Sequence, residues 1–315
     1  MSAAPSVALM RSKVALLTVT AGLAMSTGVA AASTVQVEDG AAVFRSGSRA
    51  SDLVTRDVGF PAFSFADALQ SISAGTGCTA GSPVTCDADR QDIRLSGRPD
   101  RFRGRSSFPI SVTAGGGADS IRASGGENTV SGGDGNDDIW ANGNSGSTVS
   151  GGAGADRIYG FETEPQLQGD GGGDLLVMAA SSFGGQISGG DGADELVNRG
   201  LGRASLSGDG GNDVIVLDSS FSGSAASGGV GNDTIQGGAG ADTPNGDGGY
   251  DVIVSAGDGE IDTVDCGSGW DVVYADADDV VDHCEVVLIG DAPELPQVAA
   301  AREDAQDFVA AMPSF

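Results

Sequence analysis

The chain reads as an all-β protein, a parallel roll of short stacked coils behind an N-terminal β cap, and three observations carry that reading. A nine-residue phrase recurs, written most clearly as GGDGNDDIW at 132–140. Its copies sit two phrase lengths apart, so that one full coil spans two phrases. Each copy ends in a very short strand of which only position eight faces inward and is apolar, following the period-two alternation of strands. Glycine is abundant (53 of 315 residues) and aromatics make up only 5% of the chain, which leaves too little bulk for an ordinary globular core.

The copies are GGAGADRIY (151–159), GDGGGDLLV (169–177), GGDGADELV (189–197), GDGGNDVIV (208–216), GGVGNDTIQ (228–236), GGAGADTPN (237–245) and GDGGYDVIV (246–254). Two looser ones, AGGGADSIR (114–122) and CGSGWDVVY (266–274), stand at the ends. The first six positions are expected to form a turn, with glycine wherever the backbone needs a positive φ or a close neighbour. Position six is an aspartate, and position eight is the inward apolar residue of a three-residue strand. One such unit buries almost nothing, so stacking is obligatory. Carbonyls of the turn and the aspartate carboxylate together form a hard oxygen donor set, which suits Ca²⁺.

The position-six aspartates Asp119, Asp137, Asp156, Asp174, Asp194, Asp213, Asp233, Asp251 and Asp271 are expected in one file on one side of the roll. The intervening half-coils at 123–131, 141–150, 160–168, 178–188, 198–207 and 217–227 keep an inward residue (Val130, Val149, Leu167, Ile187, Leu206, Ala226) but mostly lack the aspartate. This side is free to vary in length, and Asp218 lies on it. Asp242 also falls there, because its copy starts nine residues after Gly228. Its neighbours at 219–225 and 256–262 match the phrase poorly, and Pro244 takes its inward position, so Asp242 is expected to be a weak site.

Glycine-rich nonapeptides of this form are the signature of calcium-binding parallel β-rolls, and the chain resembles the RTX, or haemolysin-type calcium-binding repeat, family. The wording DGEIDTVDCGSGWDVVYADADDVVDHCE (258–285) is similar to the terminal repeats of secreted actinobacterial members. The resemblance implies a right-handed parallel β-roll over 113–289 that binds several Ca²⁺ ions, with residues 33–112 as the cap. The family's proteases and lipases share only the repeat with this chain. One histidine, His283, excludes an HExxH zinc site, and no GxSxG elbow occurs. No catalytic residue is assigned.

Residues 1–32 read as a secretory signal, with Arg11 and Lys13 before an apolar stretch at 14–31 and Ala30, Ala31 and Ala32 before Ser33. A membrane anchor is the rival reading of that stretch, and no later segment is apolar enough to span a bilayer. A net charge of −28 argues against nucleic acid and anionic membranes as partners. Calcium ions are the expected ligands, and cell-surface or extracellular polysaccharides and proteins remain as partner classes. The cap region contains short alternating pieces bounded by Gly, Ser or Asp, together with six phenylalanines, and 65–73 reads as one short helix.

Four cysteines in an exported chain favour disulfides. Cys78 and Cys86 would close a small loop. Cys266 and Cys284 lie 18 residues apart, one coil on, and a coil spacing of about 4.8 Å fits the Cα separation that a disulfide accepts. After Gly290 the pattern stops, and 290–315 is expected as a flexible or weakly helical tail. The reading is a secreted, calcium-folded structural or adhesive protein. Its alternative is an extracellular enzyme acting on polysaccharide through an unrecognised site in the cap or on the roll face.

Overall fold

A computed structural model describes residues 33–38, 41–46, 52–59, 62–67, 72–74, 78–79, 84–87, 90–143, 146–161, 164–179, 184–218 and 223–311. From Arg90 to Val254 successive strands alternate between two sheets, and each pairs in parallel with the one a coil away. Isolated triplets of apolar and polar residues make poor strands, so the register is set by what they bury. In one sheet Val130, Val149, Leu167, Ile187, Leu206, Ala226 and Pro244 occupy the same position of consecutive coils. In the other the stack is Ile121, Ile139, Ile158, Leu176, Leu196, Ile215, Ile235, Ile253 and Val273. These two columns face each other and form one continuous core, every aliphatic member of which is buried.

The strands of the first sheet are longer than the sequence suggests. Asn128–Asp134, Thr148–Ala153 and Ala225–Val230 run through the first three positions of the phrase. The turn proper is therefore confined to positions four to six, and the second-sheet strands, such as Asp138–Asn142 and Glu195–Asn198, start one residue after the aspartate. Pro244 is tolerated inside Thr243–Gly249, opposite Ala226.

The parallel ladder crosses residue 112. Ala41–Arg45 and Arg90–Arg94 continue the first sheet, and Asp52–Gly59 and Arg101–Arg105 continue the second. Phe44, Ile93, Leu53 and Phe102 are fully buried in the same two columns, although none belongs to a glycine phrase. Antiparallel strands close this end: Ser33–Glu38 on Ala41–Arg45, Ala62–Asp67 on Asp52–Gly59, and Val84–Asp87 on Ala62–Asp67. The short helix expected over 65–73 gives way to strands Ala62–Asp67 and Ile72–Ala74. Cys78 stands opposite Cys86 in a backbone pair, but the two side chains lie outside the described residues. The signal segment, 1–32, lies outside them as well.

The tail expected as flexible or weakly helical forms a packed helix, α1 (Pro296–Ala310), with Pro296 in its first turn, where a missing N–H costs nothing. It buries Val298, Ala301, Ala305 and Phe308 against the outer face of the second sheet. That face is apolar where solvent would demand polar residues, with Trp140, Tyr159, Leu175, Val177, Val197 and Val216 buried under the helix. The Phe308 ring centroid lies 5.1 Å from that of Trp140, and the Arg157 guanidinium carbon lies 4.2 Å from the Phe308 ring centroid. Arg302 pairs with Asp218 at 2.5 Å. Among the described residues no helix is long and apolar enough to cross a membrane.

Candidate metal centre

Two glycines of each phrase are dictated by backbone geometry. Gly133 and Gly135 have φ of +109° and +137°, and Gly152 and Gly154 repeat this at +114° and +135°, a region that L side chains avoid. In the GDGG copies the second position is instead Asp170, Asp209 or Asp247 at φ of 75°, 71° and 66°, which short aspartates tolerate best among the rest.

The first glycine has an ordinary φ, and a different reason. A Cβ on Gly132 would lie 2.2 Å from Asp137 Oδ2 and 2.5 Å from the carbonyl oxygen of Gly151, one coil on. The same pair of oxygens crowds Gly169 (2.3 and 2.4 Å), Gly208 (2.3 and 2.5 Å) and Gly228 (2.3 and 2.7 Å). Gly151, Gly189 and Gly246 also face their own aspartate's Oδ2, at 2.3, 2.4 and 2.6 Å. Glycine at position one thus leaves open a cradle in which a carboxylate oxygen and a carbonyl of the next coil converge.

All nine expected aspartates are brought together in a single file, each at most 3% exposed. Their Oδ1 atoms form a ladder. Asp119 N–H donates to Asp137 Oδ1 at 2.8 Å, Asp137 N–H to Asp156 Oδ1 at 2.7 Å, and Asp174 N–H to Asp194 Oδ1 at 2.8 Å. The pattern continues to Asp251 N–H on Asp271 Oδ1 at 2.9 Å. The Oδ2 atoms of all nine are buried without a hydrogen-bond partner. A buried orphan oxygen is costly, and nine in one row mark a place built for something else.

Desolvation in the turn pushes the carboxyls of Asp119, Asp156, Asp194 and Asp251 up to about 7 and that of Asp213 to about 6. The ladder hydrogen bonds oppose this, and neighbouring carboxylates add to it. Asp137, Asp174 and Asp233 are raised for the same leading reason. Burial thus makes the ionised form of these carboxyls costlier in the roll than in water. Among the described residues no three His, Cys, Asp or Glu side chains gather at one point, because the carboxylates are strung one per coil. A cation held here would take carboxylates singly or in pairs and complete its shell with backbone carbonyls. That donor chemistry fits Ca²⁺.

The file has end members that its spacing does not disclose. Asp100 N–H donates to Asp119 Oδ1 at 2.6 Å, while its own Oδ2 accepts from Ser96 N–H and Oγ. At the other end Asp271 N–H donates to Glu285 Oε2 at 2.9 Å. On the opposite edge Asp242 is better supported than expected. Its N–H donates to Asp262 Oδ1 at 2.7 Å, and Asp262 N–H donates to Asp279 Oδ1 at 2.9 Å. Asp262 is fully buried with an orphan Oδ2 and is pushed up to about 7 by burial. Asp242 Oδ2, by contrast, accepts from Gly238 N–H at 2.8 Å. Asp262 was missed because its phrase, 257–265, carries Glu260 where the other copies have glycine; its 20-residue step from Asp242 was the available signal.

Cys266 and Cys284 are disulfide-bonded with Cα atoms 5.1 Å apart. His283 lies beside them at the surface, 2.9 Å from Asp265, whose hydrogen bond raises its pKa.

The family model described as the RTX calcium-binding nonapeptide repeat (4 copies) matches residues 113–147, 142–176 and 226–253. Neither a curated protein nor a solved structure matches the chain.

Proposed function

We propose, for a chain that carries RTX calcium-binding nonapeptide repeats, a secreted protein whose roll is folded by Ca²⁺ and whose role is structural or adhesive. The single observation that supports this most is the row of nine buried Oδ2 atoms without partners. Asp119, Asp137, Asp156, Asp174, Asp194, Asp213, Asp233, Asp251 and Asp271 would hold the ions, with the carbonyls of the position-one residues one coil on. Calcium bound there supplies positive charge between coils that otherwise repel one another. Seven glycine cradles, at Gly132, Gly151, Gly169, Gly189, Gly208, Gly228 and Gly246, favour about seven ions on this side. The first gap differs, because Ala114 carries a methyl group at position one. Asp242 with Asp262 offers one further site on the other edge.

Secretion rests on the basic flank and apolar stretch of 1–32 and on the disulfide. A strongly acidic chain built on a regular roll suits a scaffold or adhesin facing polysaccharide or protein. The test is a calcium titration of the full chain followed by far-ultraviolet circular dichroism. We expect little β signal in chelator and a cooperative rise at roughly 10⁻⁴–10⁻³ M Ca²⁺, the range of extracellular modules. Superimposable spectra in chelator and in calcium would overturn the assignment.

A further inference from the structure

The cradles of the file hand their carbonyl from glycine to glycine until the last one. At Gly246 the oxygen facing a built Cβ belongs to Cys266, at 2.4 Å, with Asp251 Oδ2 at 2.6 Å. Cys266 is position one of its own copy, where the seven preceding copies of the file have glycine. It is fully buried and packs with the core, and its Cβ stands where those glycines have none. Its sulfur is bonded to Cys284 in the next coil. The glycine turn itself is cut away there. The partner accepting from Asp271 N–H is Glu285, 14 residues on, whereas upstream steps are 18 to 20.

We propose that the Cys266–Cys284 disulfide takes the place of a calcium bridge between the last two coils, and that by fixing Cys266 it also presets the carbonyl that completes the Gly246 cradle. The inference rests on the calcium reading of the upstream file. Upstream, adjacent coils are joined through oxygen cradles that need a cation. At the end of the roll position one carries a side chain, and the coils are joined covalently. The cross-link restricts the unfolded chain over that loop whether or not calcium is present, so the terminal coil is the one part of the roll that keeps its order in calcium-free solution. Folding there lowers the calcium needed by the neighbouring cradle, since whatever stabilises the folded coil raises its apparent affinity.

The experiment compares the full-length oxidised chain with the Cys266→Ser/Cys284→Ser variant, which separates this pair from Cys78 and Cys86. Amide hydrogen exchange is followed in Val272–Ala275 and Val286–Ile289 and, as the upstream reference, in Asp138–Asn142 and Val214–Leu217. Bound calcium is counted by equilibrium dialysis. In calcium-free buffer the terminal strands of the oxidised chain should exchange at least tenfold more slowly than those of the variant, while the upstream strands exchange fast in both. At calcium near the wild-type midpoint the variant should hold fewer ions, its last site filling only at higher calcium. Reducing a Cys78→Ser/Cys86→Ser chain folded in calcium gives the same comparison should the variant fold poorly. Equal terminal protection and equal calcium counts in the two chains would overturn the substitution alone. Upstream strands protected equally with and without calcium would overturn the calcium reading and the substitution with it.

Discussion

At the scale of single residues, the aspartates of the file do two jobs with two oxygens, and substitutions can separate them. Asp194→Asn keeps an acceptor for the Asp174 N–H but removes the charge. It should leave the roll foldable at high calcium while weakening the two adjacent gaps, seen as a loss of one to two ions by isothermal titration; an unchanged count would mean that Asp194 Oδ2 holds no metal. Gly189→Ala places a methyl 2.4 Å from Asp194 Oδ2 and 2.8 Å from the Gly208 carbonyl. Overpacking of this kind costs about 1–3 kcal/mol and should raise the calcium midpoint. Gly97→Ala, which meets nothing within 4 Å, should not.

The same residues set a pH dependence. An aspartate ordinarily titrates at 3.8, whereas Asp156, Asp194 and Asp251 sit near 7 in the metal-free fold. The folded state therefore holds these protons more tightly than the unfolded one. Their contribution to metal-free stability is complete below 3.8 and is lost as pH rises through about 7. Calcium-free chain should gain β structure as pH falls from about 8 to about 5. Circular dichroism in chelator-treated buffer that is flat across this range would refute the coupling.

At the scale of elements, helix α1 is a cover for an apolar stripe rather than a tail. Phe308 is fully buried between sheet and helix, and truncating a buried phenylalanine costs about 3–5 kcal/mol. Since a 15-residue helix is marginal on its own, Phe308→Ala should release it and shift Trp140 emission to the red, with calcium binding retained. Asp218→Ala removes only a half-exposed ion pair with Arg302, worth at most about 1 kcal/mol. It should loosen the helix slightly and leave the calcium count unchanged. A drop in bound calcium for Asp218→Ala would argue against a one-sided file. The sequence allowed a weak helix here, but its docking on the sheet was not legible because alanines at 301 and 305 give its buried stripe little contrast. The signal lay instead in the sheet, where five consecutive copies end in Trp140, Tyr159, Val177, Val197 and Val216.

At the scale of the molecule, the roll was legible wherever glycine and aspartate carry the geometry. Nine aspartates one coil apart can be read from spacing alone, because only one register stacks both the carboxylates and Ile139, Ile158 and Leu176. The N-terminal strands were legible as short alternating pieces, but their place in the roll was not, since Phe44 and Ile93 continue the same column without a turn phrase to mark it. Nor was Asp262, whose turn departs from the phrase at Glu260 while its backbone keeps the same ladder.

One feature of the file also bears on mechanics. Each coil spends 18 to 20 residues to advance the axis by one strand spacing, about 4.8 Å. Released, those residues span roughly 60 Å. The roll is thus a coiled reserve of tether, extensible more than tenfold, and the bridges between its coils determine when slack is paid out. Pulled from both ends in a force spectrometer, the chain should lengthen in steps of one or a few coils. The force of those steps should fall steeply as free calcium is withdrawn.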